Sequence, residues 1–200
     1  IAARIAMIAM TTSSSISVKP LRMVHRPLAR DPDRGCGPPI PIPALAGHAF
    51  DSFELLMRLG LAQHLFPDVA TTVRRHLKSP TVRLLELGLD GTDQRVRADK
   101  PVTPVFLFAV LLWPAILAAA GAPEGPMPSD PQVLLQAIDD VLGRQLQRVA
   151  LPKRFSLPMR DLLMLQSRFE RRSGRRALRL LEHPRFRAAY DFLLLRAAAG

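Results

Sequence analysis

Nineteen residues from Val102 to Ala120, VTPVFLFAVLLWPAILAAA, carry no charge, and any fold of this chain has to bury them. The run is long enough to invite comparison with a membrane span. Pro104 suits a first helical turn, but Pro114 would kink or break a span. It is the one such segment, and amphipathic patterns flank it on both sides. The expected structure is therefore the buried central helix of an all-α core, breaking near Trp113–Pro114. A single-span membrane protein is the disfavoured alternative.

The flanking patterns are helical. From His48 to Leu59, Phe50, Phe53, Leu55, Leu56 and Leu59 share a broad apolar face, and Gly60 supplies a stop. The chain turns at Pro67, and a short helix is expected from Val69 to Leu77. Ser79–Pro80 pairs an N-cap with an N1 proline and opens a helix from Thr81 to Leu89. Gly91 is expected to end it, with Thr92 capping a basic turn, DQRVRADK, whose Asp93, Arg95, Arg97 and Asp99 pair locally. Ser129 is expected to cap a helix in which Val133, Leu134, Ala137, Ile138, Val141 and Leu142 recur at threes and fours. Leu151–Pro152 breaks that helix. Further helices run from about Pro158 to Arg171, from Arg175 to Leu181, and from Pro184 onward, the last with Phe186, Ala189, Tyr190, Leu193 and Leu194 as its apolar face. No clean alternation marks a strand. The fold class is all-α: a helical bundle or array made of a body over 47–150 and a basic region over 151–200.

Residues 1–46 differ from the rest. Prolines at 27, 32, 38, 39, 41 and 43, with Gly35 and Gly37, prevent a helix or a central strand, so this arm reads as linker, disordered segment or mistranslated sequence. The opening IAARIAMIAM has too short an apolar run and no convincing cleavage site for secretion. The start at Ile1 rather than Met points to a fragment. The single cysteine, Cys36, excludes an internal disulfide framework, fits a reducing, cytoplasmic compartment, and lacks a partner for structural zinc.

Charge is concentrated at the other end. Between Lys153 and Arg187 there are eleven Lys/Arg against three acids, within a chain whose formal net charge is +11. The cations are Lys153, Arg154, Arg160, Arg168, Arg171, Arg172, Arg175, Arg176, Arg179, Arg185 and Arg187. Leu, Met and Phe interleave them at helical spacing, so they decorate packed helices. Guanidiniums on one face offer forked donors to phosphate oxygens, and a helix N-terminus adds a favourable field. About a third of these arginines are expected to pair with Asp161, Glu170, Glu182 or Asp191. Phe155, Phe169, Phe186, Tyr190 and Phe192 are expected mostly in the core, which leaves backbone electrostatics as the means of contact with nucleic acid. The competing interpretation is a merely solvated helix face.

No catalytic set is legible. His183–Pro184 has no nucleophile or carboxylate set nearby and suits a capping or packing role. Asp31 and Asp33 form a D-x-D pair, but between prolines and without a third acid for magnesium. The Walker glycine loop, H-E-x-x-H and G-x-S-x-G are absent, so neither catalytic nor metal-binding residues are assigned.

The segment LPKRFSLPMRDLLMLQSRFERRSGRRALRLLEHPRFRAAYDFLLLRA resembles the C-terminal region of the bacterial type I poly(A) polymerases, the polynucleotide adenylyltransferases. GTDQRVRADKPVTPVFLFAVLLWP and GHAFDSFELLMRLGLAQHLFPDV look like earlier parts of the same helical body, and the resemblance covers about residues 45 to 198. It implies a protein in which a class II nucleotidyltransferase head adds AMP to RNA 3′ ends, using ATP and two magnesium ions. It further implies that the basic region binds single-stranded RNA 3′ ends and contacts an RNA helicase. The head's Gly-Gly-Ser and Gly-Gly-x-x-Arg-Asp motifs are missing here, and similarity stops abruptly at Ala44 to Gly47, as a frameshift or a wrongly joined reading frame would produce. The expectation is an RNA-binding fragment without enzymatic activity or cofactor of its own. The alternatives are a truncated form of an active adenylyltransferase or CCA-adding enzyme, and a helical module that docks an RNA helicase.

Overall fold

The structure, a computed structural model, describes residues 48–170 and 180–200. The arm over 1–46, with Asp31, Asp33 and Cys36, lies outside the described residues, as does the segment 171–179. The described residues contain no strand. They form α1 (Ala49–Arg58), α2 (Ala62–Leu65), α3 (Pro67–Arg75), α4 (Pro80–Arg97), α5 (Pro104–Ala119), α6 (Pro131–Arg148), α7 (Lys153–Phe169) and α8 (Phe186–Ala199).

The apolar run becomes α5, which packs against α3, α4, α6, α7 and α8. Every residue from Leu107 to Leu117 is buried, as an apolar stripe running all round a helix requires. The helix does not break at Pro114 as expected. Proline removes the donor to the Val110 carbonyl, yet neighbours on all sides bury Trp113 and Pro114 and hold the backbone helical. α5 rises only about 24 Å at the α-helical pitch, less than a bilayer core. Among the described residues no helix is long and apolar enough to cross a membrane.

Around this axis several expected boundaries move. α4 continues through Gly91 to Arg97, because its buried stripe, Leu84, Leu85, Gly88, Leu89, Thr92 and Asp93, keeps helical period past the glycine. Thr92 caps no turn; its hydroxyl donates to the Gly88 carbonyl at 2.8 Å. Asp93 is buried and accepts from the amides of Ala49 and Phe50 at 2.5 and 3.1 Å, so the α4 side chain caps the start of α1. The expected cap Ser129 is displaced by one residue: Asp130 accepts from Gln132 N at 2.8 Å, ahead of Pro131 at N1. α7 begins at Lys153, five residues before Pro158, because the Pro152 carbonyl accepts from Phe155 and Ser156 and starts the helix there. Pro184 falls just outside α8.

Ser79 caps α4 as expected, accepting from Val82 N at 3.3 Å. Gly60, with φ of +72°, ends the chain's first turn beyond α1 in a conformation that favours glycine. The faces of two helices are corrected. On α1, Phe53 is buried while Leu55 and Leu59 stand exposed, because α1 packs on α4 through one narrow side. On α8, Phe192 and Ala189 are buried and Tyr190 and Leu194 face outward. The rotation brings Phe192 edge-on to Trp113, centroids 5.3 Å apart, and to Phe106 at 6.0 Å. Val133 on α6 is likewise exposed.

One hydrophobic cluster runs from Phe53 through α5 to Met159, Leu162 and Phe192, so the body and the basic region share a core. Buried polar groups stitch its seams. Gln145 donates to the Leu65 carbonyl at 2.8 Å. Gln166, without exposure, donates to the Ala189 carbonyl at 3.0 Å and ties α7 to α8.

Candidate nucleic-acid interface

Six of the eleven cations of the basic region lie among the described residues: Lys153, Arg154, Arg160, Arg168, Arg185 and Arg187. Arg171, Arg172, Arg175, Arg176 and Arg179 lie outside them.

Helix α7 carries four cations at different heights. Lys153 and Arg154 are exposed in its first turn, and the Arg154 guanidinium sits 4.8 Å over the Phe155 ring. Arg168 is exposed in its last turn. At the α-helical rise, Lys153 and Arg168 are about 22 Å apart along the axis, so they serve different parts of any bound strand. Arg160, between them, engages Asp139 of α6: Nε donates to Oδ1 at 2.7 Å and Nη2 to Oδ2 at 2.8 Å. Hydrogen bonding from Arg160 holds the Asp139 carboxyl below its ordinary range, with burial opposing the shift, and the same bond raises the Arg160 guanidinium.

The start of α8 carries the other two. His183 shapes the turn before α8: its Nδ1 accepts from the Arg185 amide at 3.1 Å, and its carbonyl accepts from Phe186 N at 2.8 Å. That turn presents Arg185 and Arg187 at the surface. Arg187 is 88% exposed and reaches Asp191, one turn on, at 3.2 Å. Lys153, Arg154, Arg168 and Arg185 have no ion-pair partner among the described residues.

Two arginines outside the basic region's expected set prove informative. Arg95, in the stretch expected to be a turn, is an exposed helical residue of α4 whose guanidinium donates to the Pro101 carbonyl at 3.3 Å. It faces the same opening as Arg185 and Arg187. The basic composition of DQRVRADK was its signal; the helix that aims it came from packing. Arg196, on α8, turns inward over the Trp113 ring at 5.5 Å and donates to Gln166 Oε1 at 3.4 Å. Burial lowers its guanidinium from the ordinary value, and Glu170 opposes the shift. Of the five aromatics expected in the core, Phe192 is buried, and Phe155, Phe169 and Phe186 are half-buried. Tyr190 is exposed and stacked on Phe186, centroids 5.8 Å apart.

Among the described residues no three His, Cys, Asp or Glu side chains gather where they could hold a metal ion.

Fold and surface together define an all-α, arginine-rich domain whose last helices turn cations toward solvent. Residues 128–200 match the family model described as the polymerase A arginine-rich C-terminus. Over 154 residues, 76% of the chain, it is 41% identical to Poly(A) polymerase I of Escherichia coli O6:H1, covering 33% of that protein. The corresponding identities are 38% to Poly(A) polymerase I of Salmonella typhi and 31% to that of Haemophilus influenzae, covering 33% and 34% of those proteins. Residues 128–200 thus carry the arginine-rich C-terminal region of the poly(A) polymerases, and the similarity to those proteins extends over 76% of the chain. The chain spans about a third of the length of the curated relatives it matches.

Proposed function

We propose that this chain binds single-stranded RNA near its 3′ end, holding phosphates on the cations of α7, the following segment and the start of α8. The observation that carries this reading is the set of exposed cations without acidic partners among the described residues, Lys153, Arg154, Arg168 and Arg185, on helices anchored into a continuous core. The family match over 128–200 supports it. Arg171, Arg172, Arg175, Arg176 and Arg179 belong to the proposed contact set by their charge in the sequence. Arg160, held by Asp139, contributes least, and Arg187 contributes by exchanging Asp191 for a phosphate. Backbone contacts carry little base information, so sequence preference should be slight.

On this reading adenylyl transfer from ATP, with its magnesium ions, is the work of a nucleotidyltransferase head whose signature motifs are not among these 200 residues. The chain itself polymerises nothing, and its place is the cytoplasm with RNA and, as a protein partner, an RNA helicase. A protein-docking reading draws support from Leu55, Leu59 and Leu61, which are exposed along α1 and its junction with α2.

The test is fluorescence anisotropy of labelled oligo(A) across salt concentrations. Replacing Lys153, Arg168 and Arg185 together by Gln should weaken binding and flatten the slope of log affinity against log salt by about 0.7 for each phosphate that is no longer neutralised. An unchanged slope in a folded variant rejects the assigned surface.

A further inference from the structure

The opening that Arg95, Arg185 and Arg187 share is an open cleft of about 670 Å³, within the size range of small-ligand sites. It lies between α4, the strap Pro101–Thr103 that leads into α5, and the first three turns of α8. Its chemistry is divided. The floor is apolar, formed by Leu87, Val105, Phe106 and Leu195. The rim carries three guanidiniums against one carboxylate, Asp191. Two helices of adequate length, α5 and α8, start at the cleft, and neither is capped by a side chain, so both positive helix ends add to the rim. Gly88 and Gly91 line the α4 wall. A Cβ at Gly91 would meet nothing within 4 Å, so the missing side chain is open volume.

A cleft that is anion-attracting at the rim and apolar at the base suits an amphiphilic anion with a flat apolar portion. We propose that it is a nucleotide subsite, in which Arg95, Arg185 and Arg187 hold a phosphate and the floor beside Phe106 receives the base. The proposal rests on the RNA-binding reading and deepens it: one nucleotide is turned out of the strand and held by its base, while the rest is held by its phosphates. Base burial of this kind is tolerant of sequence and multiplies affinity by about tenfold per base.

The experiment compares oligo(A) with an abasic ribose–phosphate oligomer of equal length, on the full chain and on Gly91→Phe, whose ring would occupy the cleft. The wild type is expected to bind oligo(A) about tenfold tighter than the abasic strand. Gly91→Phe should abolish that preference and leave abasic binding unchanged; Gly91→Ala should retain it. Should Gly91→Phe fail to fold by circular dichroism, Gly91→Leu takes its place and must likewise abolish the preference for oligo(A) over the abasic strand. A preference that survives a folded Gly91→Phe overturns the subsite and leaves the RNA-binding reading standing. Failure of the wild type to bind either strand at low salt overturns both. An NMR titration with AMP, followed at the amides of Gly91 and Ala188, assigns the source. Saturable shifts mean the cleft takes free nucleotides as well as those in a strand. Shifts with oligo(A) alone mean it takes strand nucleotides only, and shifts with neither overturn it.

Discussion

Arg160 and Asp139 join α7 to α6 through a two-pronged ion pair, with its two hydrogen bonds at 2.7 and 2.8 Å. Both side chains remain about two-fifths exposed, at 39% and 44%, so solvent screens the attraction and its net value is under about 1 kcal/mol. The Asp139 carboxyl is held below its ordinary value of 3.8 in the folded chain. Its contribution to stability is therefore complete above that pH and is lost as pH falls through the lower, folded value. Asp139→Asn should cost about 0.5–1 kcal/mol at neutral pH and nothing once both forms of Asp139 are protonated. Urea unfolding of the two proteins at neutral and strongly acidic pH measures the difference.

Asp93 is a more consequential carboxylate. It is 3% exposed and caps α1 from 44 residues away, accepting two amide protons. Asp93→Ala leaves those amides without acceptors in a half-buried seam and should destabilise the chain by about 2–3 kcal/mol. Hydrogen exchange should show Ala49 and Phe50 losing protection before any amide of α5 does.

Gly88 and Gly91 are three residues apart on α4 and should respond in opposite directions to alanine. A Cβ at Gly88 would overlap the Val110 side chain and lie 3.0 Å from Leu195 Cδ2, so the crossing of α4, α5 and α8 would have to open. Overpacking of about 1–3 kcal/mol outweighs the gain in helix propensity of about 1 kcal/mol. At Gly91 nothing opposes the added methyl, and the propensity gain remains. Gly88→Ala should lower the melting temperature and Gly91→Ala should raise it by a few degrees. Val110→Ala should rescue part of the first loss in a double-mutant cycle.

Arg196 supports the core without facing the proposed RNA surface. Its guanidinium covers Trp113 at 5.5 Å and meets Gln166, which itself holds the Ala189 carbonyl. Arg196→Ala removes both the cation–π interaction and the hydrogen bond and should cost about 1–2 kcal/mol. Trp113 is the chain's one tryptophan, so a shift of its emission reports the change directly. Oligo(A) affinity and its salt slope should stay as in the wild type; a loss comparable to that of the Lys153, Arg168 and Arg185 variant would reassign Arg196 to the RNA surface.

The all-α class, the central apolar helix, the Ser79 cap and the concentration of cations after Leu151 were all legible in the sequence, because each follows from local chemistry. Helical period, proline at N1 and charge density need no knowledge of distant residues. The family resemblance was likewise carried by contiguous residues, over about 45 to 198. The rest depended on tertiary context. Pro114 and Gly91 are breakers by propensity, yet both sit inside helices, because the packing of α5 and the buried stripe of α4 outweigh a cost of about 1–3 kcal/mol each. Ser129 and Asp130 are equally good caps on paper, and chain geometry selected the second. Arg160 pairs with Asp139 of α6 and not with an acid of the basic region, since an ion pair is settled by which helices lie side by side. Arg95, Arg185 and Arg187 are about ninety residues apart at the extreme, and only the docking of α8 against α4 brings them to one cleft. Sequence period specifies which face of a helix is apolar, but the neighbour that each face meets is decided by the packing that buries the most apolar surface across the whole chain.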